Sequence, residues 1–190
     1  MRPASTHVAH ATLERRRAHA CRRGGFMIDT DHPAHATRRM KVQWIFGGMS
    51  QALRRELVAL WMREGVLPSA DEAWRRSWEA ACLLHEGDAI AGVCTVAIRM
   101  DDYGKSYGFV RIFIRPSSRM RGLGTRMMEH MIEGFTALAQ EPGAPQRLIV
   151  TVENRKLERR AGQRLLAGLG FVRVGTAANG EWIMERGLAA

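Results

Sequence analysis

The sequence predicts a mixed α/β domain, on three observations. Apolar residues alternate with their neighbours in some stretches, as do Val110, Ile112 and Ile114, and recur at helical spacing in others, as do Leu53, Leu57, Leu60 and Trp61. The two kinds of stretch succeed one another in the order β-α-α-β-β-β-α-β-α-β-β, which suits helices packed on a sheet. Residues 106–153 read strand, helix, strand, and such a crossover makes its two strands parallel with the helix on one face. The 190 residues, 46% of them hydrophobic, suffice for one domain with a substantial core.

Taken in order, KVQWIFGG (41–48) is apolar and ends in two glycines, a short strand and its turn. Residues 49–65 follow as a helix, with Ser50 as N-cap and Gly65 as the stop. Residues 67–81 read as a second helix. Ser69 and Glu72 have capping-box spacing, and Trp74 and Trp78 lie four apart on one face, as the wall of a core or groove. In 82–102 the polar Glu86-Gly87-Asp88 divides two apolar runs, which reads as a β-hairpin. The strand at 106–114 sets Val110, Ile112 and Ile114 on one face and Phe109, Arg111 and Phe113 on the other. The helix after it reaches about Ala139. Its buried stripe is Leu123, Met127, Met131, Phe135 and Leu138, with Arg126, Glu129, His130 and Glu133 toward solvent. A loop over 141–145 leads to a strand at 147–153, a helix over 155–170 closed by glycine, and a final strand pair across Ala178-Asn179-Gly180.

The formal net charge of +10 is unevenly placed: residues 1–40 hold eight arginines against Glu14, Asp29 and Asp31, a net of +5. That segment has no sustained apolar period. It reads as a solvated, disordered basic arm or a non-native extension, with Met27 or Met40 as the true start, and the folded domain is expected over 41–190. Non-specific phosphate contacts to nucleic acid, or a transit-peptide role, rank below that reading. His7, His10, His19, His32 and His35 lack a tight ligand spacing, so no metal site is expected. No apolar run approaches the about 18 residues of a membrane span, and no signal peptide with a continuous apolar stretch is visible. Cys21, Cys82 and Cys94 are odd in number and form no CxxC pair, so a reducing, cytoplasmic setting is expected.

The joint between the central strand and its helix, FIRPSSRMRGLGTRMMEHM (113–131), carries the strongest chemical signal. A helix N-terminus leaves backbone N–H groups without partners and bears partial positive charge. Gly122 and Gly124 remove side chains where an anion would approach, and Arg119, Arg121 and Arg126 add full charges nearby. The expected ligand is a phosphate or pyrophosphate. No Gly-Lys-Ser/Thr follows, which excludes a Walker A loop, and no third glycine completes a dinucleotide fingerprint.

The spacing Arg119-Met-Arg-Gly122-Leu-Gly124 resembles the R/Q-x-x-G-x-G/A loop of the GNAT superfamily of N-acetyltransferases. The proline at Ile114-Arg-Pro116 and the later Leu169-Gly170-Phe171 are similar to features of that family too, and the resemblance spans about 41–186. It implies a mostly antiparallel sheet with a central splayed parallel strand pair, flanked by helices, and acetyl-CoA as co-substrate. It further implies that the amides of Arg121, Gly122, Leu123, Gly124 and Thr125 bind the pyrophosphate, with Arg119 alongside, and that pantetheine pairs with Ile112, Phe113 and Ile114. One of these strand amides would polarise the thioester carbonyl. The activity implied is direct acetyl transfer to an amine in a ternary complex without metal, and a homodimer is common in the family. The acceptor, a small-molecule or peptide amine, is not named by any motif; its pocket is expected around Trp61, Trp74 and Trp78.

Two family features depart from pattern. The tyrosine that often protonates the leaving thiolate has Leu166 in its place, counted back from Gly170. An asparagine often follows the second parallel strand. Asn154 suits it by strand context, while the count from Gly170 gives Arg159, which implies a longer connection here. Glu153, at the end of the strand expected to line the cleft, is the first choice of general base, with Asp101, Asp102 and His85 behind it. Arg111 is expected either to bind an acidic substrate group or to pair with a neighbouring carboxylate, and Cys94 to be a core thiol. Two rivals stand beside this reading: a non-catalytic acyl-CoA binding module, supported by the missing tyrosine, and nucleic-acid binding through the basic arm.

Overall fold

Turn and cap chemistry sets the element boundaries. The computed structural model describes residues 39–188. The arm expected over 1–40, with its histidines and Cys21, lies outside them except for Arg39 and Met40, and Met40 already opens the first strand. β1 (Met40–Trp44) leads to α1 (Gln51–Arg63), where the Ser50 hydroxyl accepts the Leu53 amide at 3.2 Å. Ser69 caps α2 (Ala70–Ser77) in the same way, accepting from the Glu72 amide at 3.2 Å. The Glu72 carboxylate turns to Arg75 and Arg76 instead of closing the capping box.

α2 stops short of the helix expected over 67–81. Ala80 and Ala81 belong to β2 (Ala80–Glu86), where the Ala81 carbonyl accepts from Ile45 at 2.8 Å and the Glu79 carbonyl from Val96 at 2.7 Å. Strand pairing outweighs the helical propensity of a Glu-Ala-Ala run. β3 (Ala89–Met100) and β4 (Ser106–Ile114) complete a meander with β1 and β2. Then come α3 (Leu123–Ala137), β5 (Arg147–Val152), α4 (Arg160–Gly168), β6 (Val172–Thr176) and β7 (Trp182–Gly187).

The helix expected over 155–170 is two pieces. A 3-10 turn (Arg155–Glu158) precedes α4, and Arg159 between them is extended, with φ −75° and ψ 159°. Gly162 accounts for the break: a Cβ there would overlap the Leu157 backbone, so the turn folds back onto the first turn of α4. This extra turn is the longer connection that separates Asn154 from the counted position Arg159.

The seven strands form one sheet in the order β1-β2-β3-β4-β5-β7-β6, antiparallel except for β4 and β5. This is the expected mixed sheet with one parallel pair. α3 covers one face through Leu123, Met127, Met131 and Phe135, all buried against Leu84, Val96, Val110 and Leu148. On the other face α1 and α2 close a second cluster of Leu57, Leu60, Trp61, Ala73, Leu83 and Val93. Each large side chain fully buried contributes roughly 1.5–3 kcal/mol, whereas a glycine in a helix costs about 1. The stripe of α3 therefore outweighs the glycines at its start and holds that first turn in place.

Candidate active site

Two irregularities meet at the C-terminal end of β4. The first lies in the sheet. β4 pairs with β5 from Tyr107↔Arg147 to Val110↔Val150, and the pairing stops there. Beyond that point Arg111, Ile112, Phe113 and Ile114 pair with β3 alone, while Thr151 and Val152 pair with β7. The parallel strands have parted, and the backbone of 111–114 presents one open edge.

The second irregularity is the start of α3. Gly122 is its N-cap in the left-handed region (φ 84°), no side chain caps the helix, and no acidic residue occupies its first turn. Gly122 is explained by its conformation. Gly124 is not: no protein atom lies within 4 Å of a Cβ built there. Packing does not require glycine at 124, whereas a ligand approaching the helix end would. Arg119, Arg121 and Arg126 stand exposed around the turn, and Arg119 Nε donates to the Ile114 carbonyl at 3.0 Å.

A half-buried anchor fixes the connection between these features. Arg115 donates to Glu86 Oε2 at 2.8 Å, the Ser118 hydroxyl donates to the same oxygen at 2.6 Å, and Arg115 also donates to Ser118 Oγ. Ser118 is wholly buried. The three-residue 3-10 turn Pro116–Ser118 is thereby pinned to the β2–β3 turn. Charge-assisted bonds of this kind are the stronger class. Nothing in the sequence linked Glu86, read only as a turn residue, to this loop.

The structure brings 112–114 and 119–125 together along one run of chain. Glu153 and Asn154 lie across the gap, directly after β5, both exposed. The Asn154 side chain accepts the Lys156 amide at 3.0 Å and caps the 3-10 turn. Leu166 is buried in the core beneath α4 and offers no proton. Asp101 is occupied by its own turn, accepting from the Tyr103 and Lys105 amides at 3.0 and 2.9 Å, with Tyr107 donating at 3.3 Å. Asp102 is exposed in the same turn. His85 lies on the α1 face of β2; burial and the Lys41 charge lower its pKa, against the opposing negative charges of Glu56 and Asp88. Cys94 is a fully buried thiol whose pKa is driven upward by burial and by the neighbouring Cys82.

The tryptophans take other work than the expected pocket. Trp61 is core, 2% exposed. Trp78 stacks on the buried Arg54 guanidinium at 3.4 Å, with Trp74 at 5.8 Å, and Arg54 donates to Ser77 Oγ at 3.3 Å. They join α1 to α2.

A cleft of about 480 Å³ opens instead between α2 and the exposed side of β3 and β4. Glu72, Arg75 and Arg76 line it from the helix, Glu79 from the turn after it, and Ala97, Arg99, Phe109 and Arg111 from the strands. Arg111 is also the first β4 residue past the end of the β5 pairing, so the cleft borders the opened edge. Glu79 stands between Arg99, at 3.7 Å, and Arg111, at 3.8 Å, and its buried Oε2 accepts no hydrogen bond. Sequence reasoning passed over Glu79 because it lay inside the expected second helix, where a glutamate reads as a solvated face.

A model of the acetyltransferase (GNAT) family matches residues 47–171. No curated protein matches the sequence. Among solved structures, an acetyltransferase of the GNAT family from Streptococcus pneumoniae superposes with a TM-score of 0.60 at 20% identity, over 80% of this chain and 100% of that one. YncA of Salmonella typhimurium, solved with its cofactor acetyl-CoA, gives 0.58 at 13% identity, over 80% and 95%. A phosphinothricin acetyltransferase from Sinorhizobium meliloti in complex with acetyl-CoA gives 0.58 at 20%, over 79% and 89%. At these identities the likeness is one of fold.

Proposed function

The chain belongs to the GNAT acetyltransferase family, and from that premise we propose that it moves the acetyl group of acetyl-CoA to an amine by direct transfer in a ternary complex. One observation carries the reading: the open edge of β4 runs into a helix N-terminus kept clear at Gly124, where no atom of the protein itself needs the room. The amides of 121–125 would hold the diphosphate, with Arg119 and Arg121 adding charge. The amides of 112–114 would pair with the pantetheine arm, and one of them would polarise the thioester carbonyl.

The acceptor would enter from the cleft beside Arg111. Its ammonium must lose a proton before the nitrogen attacks. The C–N bond then forms, the nitrogen gives up its second proton to water, the tetrahedral intermediate collapses, the C–S bond breaks and the CoA thiolate leaves. We assign the ammonium proton to Glu79, supported by its carboxylate lining the cleft, with Glu153 the alternative. With Leu166 buried and apolar, the thiolate takes its proton from water. Asn154 remains a proposed donor to the co-substrate through its amide nitrogen, its oxygen being held by Lys156.

Incubating the full chain with acetyl-CoA and a panel of amines, and following free thiol, tests this reading. Turnover is expected, and Glu79→Gln is expected to lower kcat by about 100-fold, the scale of a lost general base, with Glu153→Gln near wild type. The reverse ranking moves the base to Glu153. Binding of acetyl-CoA without thiol release from any amine would make the protein an acyl-CoA binding module instead.

A further inference from the structure

The cleft lining says something about the acceptor beyond its amine. Four guanidiniums, from Arg75, Arg76, Arg99 and Arg111, face two carboxylates, from Glu72 and Glu79. The two pairs differ. Glu72 holds Arg76 at 3.0 Å and Arg75 more closely still, so both of those guanidiniums donate to a carboxylate on the helix. Arg99 and Arg111 share only Glu79, and each stands beyond hydrogen-bond reach of it, at 3.7 and 3.8 Å. Arg99 Nη1 donates to the Ile98 carbonyl at 2.8 Å, and with side chains 63% and 51% exposed both guanidiniums keep further donors open to a ligand. Both project from one face of adjacent strands: Arg99 and Ala97 of β3 lie on the same side as Arg111 and Phe109 of β4.

One carboxylate between two guanidiniums leaves one positive charge unmatched. The same carboxylate lacks donors at its buried oxygen. Such a site is complementary to a molecule that brings both signs. We infer that the acceptor is a small zwitterionic amine, one that carries an anionic group as an amino acid does, with Arg99 and Arg111 holding the anion and Glu79 facing the ammonium. This rests on the reading of the cleft as the acceptor site. A guanidinium offers paired N–H donors matched to a carboxylate, which suits a carboxylate ahead of other anions. Phe109, 38% exposed between the two arginines, gives the side chain of such a molecule an apolar surface.

The test compares free amino acids with their carboxamides as acceptors, with acetyl-CoA and the full chain, reading kcat/KM for each pair. The acid is expected to exceed its amide by roughly tenfold or more, the scale of a charged hydrogen bond. Arg111→Gln and Arg99→Gln are each expected to bring that ratio toward one, chiefly through KM. A wild-type ratio at or below one, or a ratio that neither variant changes, overturns the inference while leaving acetyl transfer standing. Failure of the underlying reading shows differently: no acid or amide is turned over while acetyl-CoA still raises the melting temperature, and the inference falls with it. Glu79→Gln separates the two roles, since it is expected to lower turnover of acid and amide alike and to leave their ratio above one.

Discussion

Single residues here divide into those held by packing and those that packing leaves free, and the proposed chemistry falls to the second group. Gly124 belongs to the free group, for no neighbour demands it, and Arg99 and Arg111 meet Glu79 only beyond hydrogen-bond distance. His85 belongs to the first. Its Nε2 is buried without a hydrogen-bond partner, and burial with the Lys41 charge lowers its pKa below the ordinary 6.5. The folded state thus favours neutral imidazole. His85 contributes stability that is fully present above the unfolded-state pKa and is lost as pH falls from there through the lowered folded value. Melting temperature is expected to decline on acidification from pH 7 to 5, and to decline less steeply in His85→Gln. Equal slopes for the two proteins would contradict this account.

At the level of elements, two contacts set the geometry around the site. The first is Gly134 in α3, where a Cβ would overlap the Trp44 ring; that ring packs edge-on against Phe135 at 5.1 Å between centroids. Gly134→Ala should gain about 1 kcal/mol of helix propensity and lose roughly 1–3 kcal/mol to overpacking. A net loss in urea denaturation is the expected result. The second contact is the Arg115–Ser118–Glu86 anchor. Ser118→Ala removes one of the donors to half-buried Glu86, which keeps Arg115, at a cost of about 1–3 kcal/mol. It should also weaken acetyl-CoA binding, because the 3-10 turn feeds the phosphate loop; unchanged affinity at lowered stability would confine the anchor to a structural role. Legibility in the sequence follows the same division. β4 and α3 were readable because their burial has a period, and Ser50, Ser69 and the glycines of 122–124 because local backbone chemistry marks them. The end of α2 and the break before α4 were not, since they depend on Ala81 meeting Ile45 and Gly162 meeting Leu157, contacts that no local pattern encodes. The cleft was missed for that reason: Glu79, Arg99 and Arg111 are brought together only by the sheet register.

Across the whole molecule, the sheet separates two tasks. One face, under α3, is closed by apolar packing, and that packing holds the helix whose N-terminus is the proposed diphosphate site. The other face, beyond α2, stays partly open and polar at Arg99 and Arg111. The parting of β4 from β5 after Val110 joins the two, since it frees backbone donors at the border of the cleft. The family supports acetyl-CoA as the donor, and the open face is the proposed acceptor site. The central claim is that the N-terminus of α3 receives the diphosphate of acetyl-CoA, and calorimetric titration of acetyl-CoA into the wild type and Gly124→Glu tests it most directly. Because a side chain at 124 meets open space, the variant should fold with an unchanged melting temperature. The account predicts saturable binding to the wild type and a loss of roughly 100-fold or more in the variant, the scale of charge-assisted hydrogen bonds removed. Equal affinity in both proteins, or no binding to the wild type, would contradict it.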